Sequence, residues 1–393
     1  MVNVAPRSNK RAFLAWEREL FDAASRFDAK AVVKDAEKGC WVYGAGGFGR
    51  SVAAALARGG YPILGFIDRS ARDKPHIGDH CCIHPDDLNP SDVAGRTYVH
   101  GLMNHTFPSH DVAQWASEFP FSRLLFPADI LQLPHIELAN YWLATWQTLF
   151  SHIRDIEVVH DALADVASAD VYRGVLTYRV STDPRVHPKV SADDQYVPDF
   201  LPIFNKAISF VDGGAYTGDT LESLLAHHVN VRDWLAFEPD ERNFDKLIAT
   251  AKAHRNDLER YTIIPCGLGE KNGEVVFATD GVASRILSNN AVQPVTVCMH
   301  NQVPIKVLRL DDILWRRENL YIKMDIEGAE LSALRGMVKL LVNQGPIVAV
   351  SIYHQPADIW DIPLFFLRTF DKPKLYVRQH GHHGFDTVLY VIP

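Results

Sequence analysis

Apolar positions divide the chain before anything else does. Phe13, Trp16, Leu20, Phe21, Ala24 and Phe27 recur at helical spacing among charges, which predicts a helical segment over residues 1–37 that packs on the protein rather than serving as a targeting signal. From residue 38 the pattern changes to a short apolar run at Trp41, Val42 and Tyr43, a glycine-rich turn, an alanine-rich helix over 50–58 and a second apolar run ending at Asp68. This is a βαβ unit, and further short runs, one near residue 100, extend it into a small parallel sheet within 38–133. Residues 134–170 are helical in pattern and rich in Leu, Ala and Trp, and the polar stretch 181–194 reads as a loop, so 134–195 forms a helical connector. The remainder, 196–393, alternates strand and helix signals, with strands at 208–212, 234–238, 261–266, 320–325, 347–353, 374–378 and 387–392. The last two lie close enough in the chain to pair antiparallel after a parallel set. Between the third and fourth, 273–307 carries Val-rich runs around Ser284, Asn289 and Asn290, as an inserted hairpin or lid would.

The fold expected is α/β, with two doubly wound Rossmann-like domains, the C-terminal one built on a seven-stranded sheet with an antiparallel last strand. A chain of 393 residues exceeds one typical core, and 47% hydrophobic with 22% charged residues is an ordinary globular composition. No uncharged apolar stretch reaches the roughly 18 residues a membrane span needs, and the five cysteines show neither metal-type spacing nor an even disulfide framework. Both features favour a cytoplasmic protein with reduced thiols and no membrane partner. A net charge of −8 without a basic run argues against a nucleic-acid partner.

The densest chemical signal lies at 210–240, where a buried strand runs into Asp212, Gly213, Gly214, Tyr216 and Gly218, and a second strand closes on Glu238. An acidic residue about 20 positions past such glycines accepts ribose hydroxyls in nucleotide-binding crossovers. Asp212 decides which adenosyl ligand fits, because a carboxylate there repels a pyrophosphate but suits an amino acid and a sulfonium, so the cofactor expected is S-adenosyl-L-methionine. Tyr216 is placed to face the sulfonium or to pack. Cys266 ends the third strand where an adenine edge would rest, or is a buried structural thiol.

Val-Asp-Gly-Gly-Ala-Tyr-Thr-Gly-Asp-Thr at 211–220, Phe-Glu-Pro-Asp-Glu-Arg-Asn-Phe at 237–244, Leu-Asp-Asp-Ile-Leu at 310–314 and Lys-Met-Asp-Ile-Glu-Gly-Ala-Glu at 323–330 resemble the FkbM-type S-adenosylmethionine-dependent O-methyltransferases. Ser351 to His354, Tyr376, His380 and Thr387 to Tyr390 complete the resemblance, which spans roughly residues 155–393. It implies a class I methyltransferase sheet and methyl transfer to a hydroxyl of a carbohydrate or secondary metabolite. An alcohol acceptor gains from a base placed at its proton. His354, at the end of the fifth strand, is the base expected, with Asp325 near the methyl group and Glu327 orienting the acceptor or the histidine; the competing reading has Asp325 and Glu327 capping a helix that starts near Ala329. These three could also hold Mg²⁺ or Mn²⁺, although one histidine and two carboxylates fall short of a specific ligand spacing, so a metal is not the favoured reading. His380, His382 and His383 read as solvated turn residues, with substrate contact as the second reading, and Asp311 and Asp312 as the acidic start of a helix, ahead of a role at the cofactor edge.

In the front domain Gly44, Gly46 and Gly49 with Asp68 form a dinucleotide-type pattern, open to a nucleotide, a nucleotide-linked sugar or no ligand at all. Arg50 holds a phosphate there or faces solvent. Two other functional classes remain beside the methyltransferase: an NAD-dependent oxidoreductase using that pattern, and a non-catalytic cofactor-binding protein. The partner expected is a small-molecule or glycan acceptor, and the front domain serves either to orient it or to pair with a second copy of the chain.

Overall fold

The computed structural model describes residues 6–278, 285–287, 302–313 and 317–393. The front sheet comprises β1 (Cys40–Tyr43), β2 (Ile63–Ile67), β3 (His76–Ile77), β4 (His80–Ile83), β5 (Thr97–His100) and β6 (Arg123–Leu125), in the order β3-β4-β2-β1-β5-β6. All neighbours pair parallel except β3 with β4. Every residue of β1 and β5 is buried, as strands covered on both faces must be, and the strand order reverses at β1.

The second sheet contains β7 (Ile208–Gly213), β8 (Val231–Phe237), β9 (Arg260–Ile264), β14 (Leu320–Met324), β15 (Ile347–Ser351), β16 (Lys374–Gln379) and β17 (Thr387–Ile392), ordered β16-β17-β15-β14-β7-β8-β9. Its strands are parallel except β17, which is antiparallel to both β15 and β16. The last strand of the chain therefore enters between two earlier ones. Burial explains the choice: β17 is apolar along both faces, whereas β16 alternates buried with less buried residues and suits the edge. Beside this sheet, β10 (Gly267–Leu268), β11 (Gly273–Ala278), β12 (Arg285–Leu287) and β13 (Gln302–Leu308) form a small sheet, with β11 antiparallel to β12 and β13 as an inserted hairpin requires. Ser284, Asn289 and Asn290 lie outside the described residues.

The helical segments before and after the front domain belong to the second domain's core. Phe13, Trp16 and Leu20 of the helix Pro6–Ser25 pack with Ile156, Tyr172 and Leu176 of the helices Ile153–Ala162 and Val166–Ser181, in one cluster with Val211, Leu235, Ile322 and Val350 of the sheet. Trp16 Nε1 donates to Thr177 Oγ1 at 2.8 Å. The front domain is thus inserted between the first helix and the layer that helix completes. Among the described residues no helix is long and apolar enough to cross a membrane.

Candidate active site

Parallel pairing of β7 with β14 sets Asp212 opposite Lys323 and Gly213 opposite Met324. Asp212 is fully buried and its Oδ1 lies 3.2 Å from Lys323 Nζ, which also donates to the Gly214 carbonyl. Burial works against both charges, yet Asp212, and behind it Asp325, hold Lys323 above its ordinary range. Asp212 has no exposed surface of its own and pairs with Lys323. Gly214 (φ +72°) is required by chain packing, since a Cβ there would lie 2.0 Å from the Asp325 carbonyl oxygen.

A cavity of about 440 Å³ opens at the carboxyl edge of this sheet, within the ~300–1,000 Å³ range of small-ligand sites. Gly214, Tyr216, Glu238 and Lys323 contribute to its wall, with Phe237, Leu268 and Ile305 supplying apolar surface and Asp219, Thr220 and Asn243 polar groups. Asp212, Gly213, Gly218 and Cys266 are not on that wall. The third strand stops at Ile264, so the chain past Cys266 presents Gly267 and Leu268 instead. Glu238 accepts from Tyr216 N at 2.9 Å and Asp240 N at 2.8 Å, one on each oxygen, and burial pushes its carboxyl up to about 7. The carboxylate keeps lone pairs that face the cavity.

The β14 and β15 ends bring Asp325, Glu327 and His354 together, as the sequence suggests, and add Glu330. His354 is buried; its Nδ1 lies 2.8 Å from Glu330 Oε1, and its Nε2 lies 3.4 Å from Asp325 Oδ1 and 3.6 Å from Glu327 Oε2. Burial disfavours the imidazolium, but Glu330, Glu327 and Asp325 together hold its pKa up at about 10. These three carboxylates favour the imidazolium, which weighs against the expected role of His354 as a base. Asp325 stays below its ordinary range, because His354 and Lys323 outweigh the cost of burial, and it accepts from Tyr196 OH at 3.0 Å. Glu327 is pushed up to about 7 by burial, with His354 opposing, and its backbone sits in the left-handed region at φ 58°. Neither acid caps the helix Glu330–Arg335, which has no side-chain cap; its first residue, Glu330, instead ties down the preceding turn, accepting from Ile326 N at 2.8 Å and Gly328 N at 3.0 Å. Asp311 does cap a helix, at a distance in the chain, accepting from Lys339 N and Leu340 N at the start of the helix Val338–Gln344.

Asp325, Glu330 and His354 place ligand-type atoms within 4.8 Å of one another, which is close enough for a cation. Glu330 already receives two backbone N–H groups and His354 Nδ1, so a cation here would compete with those donors for its oxygens.

The front domain closes the site from the other side. His105 lines the large cavity, and a second cavity of about 290 Å³ lies between the loop after β5 and the C-terminal domain, sharing His105 and Glu327 with the first. Contrary to a solvated turn, His383 is buried in this interface. Its Nδ1 donates to the Asn104 carbonyl at 2.6 Å, its Nε2 meets Ser109 Oγ at 2.6 Å, and Ser109 passes the chain on to His100 and Tyr98 at 2.9 Å each. His380 pairs with Tyr390 OH at 2.7 Å and His382 N donates to the His105 carbonyl.

In the front domain, Asp68 accepts from Ala45 N at 2.7 Å and from Ser70, repeating the Glu238 pattern. Its glycines answer to packing: a Cβ on Gly49 would lie 2.0 Å from the Gly44 carbonyl oxygen and one on Gly44 (φ +102°) 2.7 Å from Leu102, while Gly46 is open. Arg50 donates to the Ala45 carbonyl at 3.0 Å.

Residues 212–383 match the family described as the Methyltransferase FkbM domain. The crystal structure of methyltransferase FkbM from Methylobacillus flagellatus KT resembles the chain with a TM-score of 0.74 at 19% identity, covering 98% of this chain and 100% of that one, so the likeness in fold extends to the front domain. No curated protein matches the sequence. The FkbM domain contains Glu238, Lys323, Asp325, Glu327, Glu330 and His354. Outside it lie Tyr196, His105, Tyr141, Phe385 and Asp386, which the tertiary structure brings to the same two cavities. Lys323 was signalled by a lone cation in the apolar strand Leu320–Met324; His105 and Tyr141 carried no sequence signal.

Proposed function

We propose that the chain is an S-adenosylmethionine-dependent O-methyltransferase whose acceptor, a small molecule or glycan, binds between the FkbM domain and the front domain. The observation that carries the reading is the pair of cavities: one is lined by Glu238 and Lys323, the other by front-domain residues, and they meet at Glu327 and His105. The wall of the larger fits the cofactor. Glu238 offers acceptor lone pairs for ribose hydroxyls, Phe237, Leu268 and Ile305 offer an apolar bed for a base, and Lys323 offers a cation for a carboxylate. When bound, S-adenosylmethionine supplies a methyl group already activated on sulfur.

The protein's own part is placement and proton removal. Glu327 is the group suited to take the hydroxyl proton, since it lines both cavities and its carboxyl titrates near neutrality. His354, fixed through Nδ1 by Glu330, is a positioning cation that keeps Asp325 ionised and Glu327 in place. Tyr196 fixes the other oxygen of Asp325. The front-domain glycine pattern needs no ligand in this scheme.

Titration calorimetry with S-adenosylhomocysteine tests the cofactor site. Glu238→Gln leaves a single acceptor oxygen for donors now shared between two, and a lost charge-assisted hydrogen bond of ~1.5–3 kcal/mol corresponds to affinity weaker by about 10- to 150-fold. Wild-type protein that ignores the ligand at millimolar concentration would remove the proposal.

A further inference from the structure

The 290 Å³ cavity has a chemistry of its own. Three rings form one side: Tyr141 and Phe385 meet edge to face with centroids 5.0 Å apart, and Tyr353 stands 5.8 Å from Phe385 and 6.4 Å from Tyr141. Two carboxylates, Asp386 and Glu327, complete it, with Met103, Asn104 and His105 from the front domain. Among the described residues that line it there is no lysine or arginine. Such a wall repels a phosphate or a sugar nucleotide and attracts an ammonium, which both the carboxylates and the faces of the tyrosines stabilise.

Backbone conformation is unusual along the same wall. Tyr141 (φ 45°), Glu327 (φ 58°) and Asp386 (φ 54°) all occupy the left-handed region, as do Tyr216 (φ 48°) in the neighbouring cavity and His383 (φ 54°) in the interface that supports both. Residues with side chains adopt it rarely, and such strain gathers where a side chain must be aimed. Here it aims one ring and both acids of the same cavity. The volume, at the small end of ligand sites, matches a single substituted ring.

We infer that the acceptor is a cationic, amine-bearing ring compound such as an amino sugar or aminocyclitol. Its ammonium rests on Asp386 against Tyr141, Tyr353 and Phe385, and its hydroxyl reaches Glu327 at the shared wall. This rests on the methyltransferase reading, and the experiment separates the two. Calorimetry on the full chain saturated with S-adenosylhomocysteine compares glucosamine and 2-deoxystreptamine with glucose, N-acetylglucosamine and glucose 6-phosphate. The amines bind at least ten-fold more tightly than glucose or N-acetylglucosamine, and the phosphate does not bind. Asp386→Asn lowers amine affinity at least ten-fold and leaves S-adenosylhomocysteine affinity within two-fold. Equal or better binding of the neutral or phosphorylated rings, or no binding of either amine to a protein that does bind S-adenosylhomocysteine, overturns the inference and leaves the cofactor site standing. The acetylated control uses the wild-type chain alone, so the outcome does not hang on how the variant folds.

Discussion

Replacing Lys323 with methionine isolates what the buried pair beneath the cofactor cavity contributes. Side-chain exposure is 4% for Lys323 and 0% for Asp212, and the charges lie 3.2 Å apart. At an effective dielectric near 20 that separation corresponds to about 5 kcal/mol of attraction. Removing one partner of such a pair leaves the other charge buried and costs about 3–5 kcal/mol. Methionine keeps most of the side-chain volume, so little of the loss comes from a void. Burial already pushes the Asp212 carboxyl up, and without the ammonium it rises further. A carboxyl raised in the folded state favours folding below its unfolded value near 4, and that contribution is lost as pH rises through the folded value. The deficit of Lys323→Met should therefore be largest at pH 7–8 and shrink towards pH 4. Urea unfolding across this range measures it, beside Asp212→Asn and the double variant. The double variant should recover most of the loss, with a coupling of about 3 kcal/mol. Additive effects within ~0.5 kcal/mol, or a deficit that grows on acidification, would refute the ion pair.

Glu327→Gln should lower kcat by about 10²–10⁴ while S-adenosylhomocysteine affinity holds within two-fold. In the wild type the rate should rise with pH through about 7 as Glu327 loses its proton, and an acidic limb surviving in the variant places the base elsewhere. Burial lowers His100 to about 3 and His383 to about 4, so both are neutral in the domain interface. Their contribution is complete above the unfolded value near 6.5 and is lost as pH falls towards the folded values; His383 alone should account for about 2 kcal/mol less stability at pH 5 than at pH 7, read by urea unfolding and reduced in His383→Asn. Treatment with EDTA should leave S-adenosylhomocysteine binding and turnover unchanged, whereas a loss restored by Mg²⁺ or Mn²⁺ would return Asp325 and His354 to the role of ligands.

Local pattern made the strands legible. β7, β8, β14, β15, β16 and β17 fall within a few residues of their apolar runs because each run is bounded by turn residues and interrupted by helical spacing. The sheet-edge acids were legible too, since strand ends at one edge collect a ligand's neighbours. Their roles were not. Asp212 reads from the sequence as a cofactor contact and turns out to lie under Lys323, because the β7–β14 register, invisible in either segment alone, places them opposite each other. His354 reads as a neutral base, and the convergence of Glu330, Glu327 and Asp325 on it favours the cation instead.

The sequence by itself determined the two α/β units, the glycine turn running to Glu238 and the acids after β14, all of which depend on neighbours a few residues apart. Tertiary structure alone decided where the N-terminal helix packs, where β17 enters the sheet, which groups carry charge, and that His105, Tyr141 and Asp386 share one cavity. Periodicity and turn chemistry are short-range along the chain, whereas desolvation, Coulomb coupling and cavity shape depend on distances in space between residues that the chain holds hundreds of positions apart.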